Sequence, residues 1–557
     1  MKQENKKSVW WKKAVGYQIY PMSFQDSNGD GIGDIRGIIN RIDYLANLGI
    51  DFIWLNPIYK SPQIDNGYDI SDFRNIDPIF GTINDFQELI SKLHKKNIKL
   101  IIDLVLNHSS DQHYWFQEAL NSKDNPYHDY YIWQDGVANT KPNDWVNWSG
   151  ASEWTYYPQI RQWNYHIFNK RMPDLNWENG KLRKDLLLTA KFWLDMGIDG
   201  FRLDAISHLK KMSFNISMKS MRESGQDPWA VHTNVPGLEN FLKEIKYAFS
   251  GYNIFTVGEA SGITPGQASL WTGENGYFNA IFELDQNRHD GYDSKKRPKG
   301  NIQAFKKVIF NWETRLNIFG WLSPYLANHD NPRSQQVWGD NRSDSSAKAL
   351  SLILLSLKGT PFIYFGDELG IGSKNFTSIE QITDPEAQIA YQKTKQEKGN
   401  IAKAFTDIAN FNRDQGRTPF WWNENKNAGF SDGIPWLGIS DGSQGRSAES
   451  QIKDPNSILN FYKKMIQVRK SSPSLNQGLF YPLSLEQDST VNFLRQTNSQ
   501  LSLVISNLSD TTTQIELPTS IDLDNWLQVI ATRPTRLQRK MSLGPYQAAI
   551  FMKRVNG

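Results

Sequence analysis

Eight short apolar runs recur along the first two thirds of the chain, at 15–24, 50–57, 98–108, 200–205, 254–260, 280–284, 322–330 and 361–368, each closing on polar residues. Runs this short, rich in Ile, Val and Phe, suit strands covered on both faces, as in parallel sheets. Several are separated by amphipathic segments. In 82–96, Phe86, Leu89, Ile90 and Leu93 share one helical face, with Thr82 and Asn84 at its start as candidate caps. The segment 182–196 follows the same rule. Strands alternating with helices eight times predict an α/β protein built on a (β/α)8 TIM barrel.

Two stretches interrupt the alternation. Residues 109–174, after the third strand, are rich in Trp, Tyr, Asn and Asp and read as an inserted domain. Residues 371–450, after the eighth, read as a smaller insertion with a helical middle. Beyond 478 the pattern turns strand-like, at 490–495, 501–507, 512–517, 526–531 and 548–552, which predicts a C-terminal antiparallel β-sandwich over 478–557. The barrel itself then comprises 1–108 and 175–477.

Composition narrows the function by exclusion. A net charge of +3 over 557 residues gives no electrostatic reason to expect nucleic acid or an anionic membrane as partner. No apolar run approaches the roughly 20 residues of a bilayer span, and no apolar segment follows Met1 as a secretory signal would require. With no cysteine there are no disulfides, no thiol nucleophile and no thiolate metal site. These features lead us to expect a cytoplasmic protein, monomeric or weakly self-associating, that acts on a small molecule.

In such barrels chemistry sits where the strands end. The third strand ends on Asp103, Asn107 and His108, the fourth on Arg202 and Asp204, the fifth on Glu259, and the seventh on Asn328, His329 and Asp330. Residues two apart in a strand face the same way, so Arg202 and Asp204 share a face, and a guanidinium beside a carboxylate favours its ionised form. Cleaving a glycosidic bond needs one ionised carboxylate and one that holds its proton until delivery. Glu259, on a different strand, can meet the different environment that the second role demands.

The motifs DLVLNHSS (103–110), MPDLN (172–176), GFRLDAISH (200–208), TVGEA (256–260) and ANHDNPR (327–333) resemble those of the α-amylase family of retaining glycosidases, closest to its oligo-1,6-glucosidase, dextran glucosidase and α-glucosidase branch. The resemblance implies Asp204 as nucleophile, Glu259 as acid/base and Asp330 as the third acid, which steadies the transition state. It implies that His108, Phe168, Arg202 and His329 contact glucose in the −1 subsite, with Asp103 holding this shell. Tyr68 of DNGYDI (65–70) matches the aromatic platform. Asp65, paired with Arg417 or, failing that, Arg413, matches the charged pair that closes the non-reducing end and enforces exo action. The chain departs from the branch at MPDLN, where many relatives carry QPDLN, and in 420–430. Ala205 follows the nucleophile where Val tends to accompany α-1,6 preference; Ala pulls toward maltose-type substrates. Three alternatives stand beside this reading: transglucosylation or sucrose isomerisation, whose signature 284–291 does not firmly match; a trehalose-6-phosphate hydrolase, for which no phosphate-binding cluster stands out; and a catalytically dead amylase-like binding subunit.

Residues 26–34 read Asp-Ser-Asn-Gly-Asp-Gly-Ile-Gly-Asp. Oxygen donors fall at alternate positions: Asp26, Asn28, Asp30, the Ile32 carbonyl and Asp34. This is the opening of an EF-hand-like loop with Gly31 at the sharp turn, and it predicts a structural Ca²⁺. Gly37 stands where an EF-hand has its last Glu, so water would complete the shell.

Overall fold

The computed structural model describes residues 9–147, 149–273, 275–287, 300–483 and 489–555. Seven strands form one parallel sheet: Gly16–Ile19, Phe52–Leu55, Lys99–Val105, Gly200–Asp204, Phe255–Glu259, Ala280–Phe282 and Phe362–Tyr364. The first pairs with both the second and the last. The seventh predicted strand, 322–330, contributes only its beginning. Ser323 N donates to Ile281 O, while Thr360 N and Phe362 N donate to Leu322 O and Pro324 O, all at 2.9 Å. These bonds close the sheet into a barrel. From Tyr325 on, the chain leaves the ladder, which frees 328–330 to enter the mouth.

The barrel interior is filled rather than hollow. Phe52, Trp54, Phe255, Phe282 and Phe362 form a packed aromatic layer, with Trp10, Trp11 and Trp321 against its lower edge. Edge-to-face pairs of this kind add about 0.5–1.5 kcal/mol each beyond their buried area. Gly200 starts the fourth strand at φ 150°, where a Cβ would come 1.9 Å from Phe255 O. No other residue fits there.

Around the barrel lie the expected helices. Ile83–Lys95 begins at Thr82, which forms a capping box with Asp85; Asn84 lies inside the helix. Gly180–Met196 is capped by Asn179 and stops at Gly197, in the left-handed region. Within 109–174, strands Trp133–Asp135, Trp154–Tyr157 and Gln162–Tyr165 form an antiparallel sheet. Within 371–450, Pro385–Gln396 and Ile401–Phe411 form a helical hairpin. At the C-terminus a five-stranded antiparallel sheet and a two-stranded ladder enclose Leu503, Ile515, Met541 and Phe551. Two strands here, Leu479–Leu483 and Lys540–Leu543, are additional to those predicted. The first carries Pro482 and lies at the sheet edge, where a missing N–H is tolerated. Among the described residues no helix is long and apolar enough to cross a membrane.

Candidate active site

Parallel register places Asp103 beside Arg202 on neighbouring strands, and Arg202 beside Val257. The buried guanidinium of Arg202 therefore meets three carboxylates from three strands. It lies 2.7 Å from Asp103, 2.5 Å from Asp204 and 3.1 Å from Glu259. Asp103 is fully buried and also accepts from Trp54 Nε1 at 2.7 Å. Asp204 and Glu259 keep an open side, with 10% and 21% of their side chains exposed.

One cation cannot neutralise three clustered acids, two of them buried. Burial pushes Asp103 up to about 6, against the pull of Arg202. Burial and the neighbouring carboxylates of Glu259 and Asp103 likewise push Asp204 up, and Arg202 opposes them. Ala205 turns the chain away at φ 46°, a left-handed conformation that Ala tolerates better than a β-branched residue. That turn aims its N–H at Glu259 Oε2, 2.9 Å away.

Asp330 faces this group from the loop after the closing segment, with 38% of its side chain exposed. Burial works against its charge, but His329, Arg413, Arg417 and Arg202 hold it below the usual carboxylate range. His329 lies 2.7 Å from the Tyr68 hydroxyl and 3.1 Å from Asp330, through Nε2. Its Nδ1 accepts from Gln18 Nε2 at 3.0 Å, and the same amide donates to Asn56 at 2.7 Å. Asn56 in turn donates to the Tyr68 hydroxyl at 2.9 Å. This network assigns the ring proton to Nε2, toward Asp330. Burial pulls His329 down to about 3 and His108 down to about 4, so both rings are neutral near pH 7. Among the described residues His108 Nε2 has no hydrogen-bond partner, and the ring packs edge-on against Phe168.

These side chains line one cleft of about 730 Å³, with the insertion supplying Phe168 and the helical hairpin supplying the outer wall. Asp65, Tyr68, His108, Phe168, Asp204, Glu259, His329 and Asp330 all reach it, and Arg202 lies directly behind Asp204.

The Arg417 assignment needs correction. Arg413, not Arg417, pairs with Asp65, at 3.1 Å, and lines the cleft. Asp384 grips Arg413 through Nε and Nη2, at 3.0 and 2.9 Å, and turns it toward Asp65. Arg417 is buried, bonded to His329 O at 2.7 Å and 3.4 Å from Asp330, so it supports the catalytic loop from beneath. Gln18, Asn56 and Asp384 were not foreseen. Asp384 reads as a helix cap before Pro385, a role that it also fills through Glu386 N.

The loop 26–34 lies outside the cleft. Asp26 accepts from the amides of Asn28, Gly29 and Gly31 and from Ser431, and Asp34 from Ser27 and Gly37. Gly31, at φ 92°, packs so closely that a Cβ would come 1.9 Å from Ile434 O. Among the described residues no three acidic or histidine side chains converge as a metal cluster. A calcium ion here would depend on Asn28 and the Ile32 carbonyl as well. That all-oxygen, alternating set suits calcium, and a carboxylate has lone pairs for both an amide and a cation.

The model of the α-amylase catalytic domain matches residues 18–478. The chain is 41% identical to the probable oligo-1,6-glucosidase 3 of Bacillus subtilis, over 98% of this chain and all of that one. The trehalulose synthase of Pseudomonas mesoacidophila superposes with a TM-score of 0.93 at 35% identity, covering 98% of this chain and 100% of the other. The trehalose-6-phosphate hydrolase of Bacillus licheniformis gives a TM-score of 0.92 at 36% identity with the same coverage. With its barrel, its clustered strand-end acids and this likeness, the chain belongs to the α-amylase family of glycoside hydrolases.

Proposed function

We propose that the protein is an exo-acting, retaining α-glucosidase that releases glucose from the non-reducing end of short α-gluco-oligosaccharides. The observation that carries this reading is Arg202 bridging Asp204 and Glu259. One guanidinium spanning both carboxyls suits the close pairing of a double displacement, about 5–5.5 Å, rather than the wider gap of an inverting enzyme. Asp204 attacks the anomeric carbon while Glu259 gives its proton to the leaving oxygen. Water then attacks the glucosyl ester, and Glu259 takes the proton back. Asp330, held ionised, faces the positive charge that develops on the ring, and neutral His108 and His329 serve the sugar hydroxyls.

The Asp65–Arg413 pair supports exo action by blocking one end of the cleft. The cleft lining carries seven acids against Lys393 and Arg413, which favours a neutral sugar over a sugar phosphate. Ala205 favours maltose-type substrates, with isomaltose-type as the second class that the relative's name suggests. Likeness to a trehalulose synthase makes transfer to a sugar acceptor the second reading; residues 288–291 of the stretch that bears on it lie outside those described. The lack of cysteine supports a cytoplasmic setting. Assaying maltose, isomaltose, sucrose and trehalose, with NMR of the first-formed anomer, tests all of this. We expect α-glucose from maltose; a β-anomer, or no glucose from any of the four, overturns the reading.

We also propose a structural calcium ion at Asp26, Asn28, Asp30, Ile32 and Asp34. Its support is the alternation of oxygens through the loop. Removing divalent ions with a chelator should lower the Tm by several degrees, and calcium should restore it better than magnesium. An unchanged Tm, with no calcium retained by dialysed protein, would refute the site.

A further inference from the structure

Past the helical hairpin, the insertion returns to the barrel and lays residues 430–436 on the loop 26–34. Asp26 N donates to Phe430 O at 3.0 Å, and the Ser431 hydroxyl to Asp26 Oδ2 at 2.6 Å. The two backbones touch, since a Cβ at Gly433 would come 2.1 Å from Gly29 O. Trp436 ends this contact, its backbone N–H donating to Gly31 O at 2.9 Å. The backbone of Trp436 is thus fixed from outside the cleft, and its side chain lies outside the cleft as well.

Inward, the Trp436 ring makes two contacts that both lead to Arg417. Its Nε1 donates to the Ser23 hydroxyl at 3.0 Å, and that hydroxyl donates to Arg417 O at 2.5 Å. A hydroxyl has one proton to give. With Trp436 donating to the oxygen, the proton is left for Arg417. Ser23 is fully buried, and its backbone O also accepts from Phe420 N at 2.9 Å, so the chain is gripped on both sides of Thr418. The second contact is through Tyr20. Its ring centroid lies 6.2 Å from that of Trp436, and the Arg417 guanidinium lies over it at 5.4 Å. From there Arg417 reaches His329 O at 2.7 Å and Asp330 at 3.4 Å. Gly416 packs so closely that a Cβ would come 2.2 Å from Asn331 O. A shift of 416–417 is therefore a shift of the loop that carries Asp330.

We propose that Trp436 is a positioning residue for the reaction: without meeting the sugar, it sets Arg417, and through Arg417 the third acid Asp330, from a loop outside the cleft. The inference rests on the α-glucosidase reading, in which Asp330 faces the charge that develops on the glucose ring. An interaction that tightens only as this charge forms lowers the barrier without strengthening substrate binding. Misplacing Asp330 therefore costs kcat and spares KM. A ring that only packed would cost stability and leave kcat of the folded enzyme alone.

The test is Trp436→Phe, which keeps a ring against Tyr20 and removes the donor to Ser23. It is assayed on maltose at 25 °C with kcat and KM resolved, and its folding is followed by thermal melt. We expect kcat to fall about two- to tenfold, the range of one buried hydrogen bond, with KM within about twofold of wild type. Ser23→Ala breaks the same link from its other end. Combining the two changes should cost little more in kcat than Ser23→Ala alone, because both interrupt one path. Unchanged kcat in Trp436→Phe, whatever its Tm, overturns the proposal. So does a rise in KM alone, or a double variant in which the two losses multiply. In each of these cases wild-type cleavage of maltose leaves the glucosidase reading intact. A wild type that releases glucose from none of maltose, isomaltose, sucrose and trehalose overturns that reading, and this one with it.

Discussion

The two ends of the barrel solve the same problem in opposite ways. At the mouth, Asp103, Asp204 and Glu259 share the single cation of Arg202. At the base, Glu313 stands among three cations, Lys358, Arg469 and Arg495. The base is settled by the backbone. Lys358 donates to Leu316 O and Asn317 O, Arg469 to the carbonyls of Leu355, Leu357 and Gly359, and Arg495 to Ser356 O and Gly478 O. Every excess positive charge there faces a fixed dipole. The mouth has fewer such donors, Trp54 Nε1 on Asp103 and Ala205 N–H on Glu259, and its excess negative charge waits for a cationic ring. Buried charge at one end joins the barrel to the C-terminal sheet; at the other it is kept unbalanced for use.

The largest expected effect breaks the mouth. Replacing Asp204 by Asn should cost on the order of 10⁴-fold or more in kcat, as loss of a nucleophile does. The same change should stabilise the fold. Because the folded pKa of Asp204 lies above its unfolded value, the native state holds that proton more tightly. Stability is therefore lost as pH rises through the folded pKa. The variant should be more stable than wild type at neutral pH, the difference shrinking as pH falls to the ordinary carboxylate range. Thermal melts from pH 4 to 8 read this directly; a variant less stable than wild type at pH 7 would show that the mouth is not strained by its charge.

At the base the expected signs reverse. Arg495→Met leaves the carbonyls of Ser356 and Gly478 without their donor and unsettles the group around Glu313. We expect a loss of about 3 kcal/mol, seen as a lower denaturation midpoint, with kcat of the folded enzyme unchanged at 25 °C. Loss of kcat at full stability would mean that the two ends are coupled.

The contrast between the ends also explains what could be read from the sequence. Barrel strands show themselves because both their faces are covered, and the catalytic acids because they end those runs. The seventh strand was overestimated because the apolar pattern resumes after Ser323 and Pro324 at Tyr325, Leu326 and Ala327, which pack without joining the ladder. Arg413 and Arg417 lie one helical turn apart and present the same guanidinium, so spacing alone does not separate them. The separation is made by Asp384, from another element. Gln18, inside an apolar strand, and Asn56, directly after one, are cross-element partners too, and neither carries a local pattern. The three cations at the base were equally silent, each belonging to a different helix, loop or strand.

Gln18 offers the smallest effect and the sharpest reading of the mouth. Its amide donates to Nδ1 of His329 and so leaves the imidazole proton on Nε2, facing Asp330 and the Tyr68 hydroxyl. Gln18→Leu removes the donor, and the neutral ring becomes free to carry its proton on either nitrogen. Up to about the stabilisation of one buried hydrogen bond, roughly 1 kcal/mol, is then lost in the transition state, which predicts roughly a fivefold fall in kcat/KM. Gln18→Glu should act differently. A carboxylate would accept from Nδ1–H, reverse the tautomer and favour the imidazolium, whose pKa burial otherwise holds at about 3. The acid limb of the pH profile would then move upward in Gln18→Glu and stay in place in Gln18→Leu. A merely structural glutamine would give two equally unstable proteins with the same profile; separate pH behaviour is what a group that orients the catalytic ring must produce.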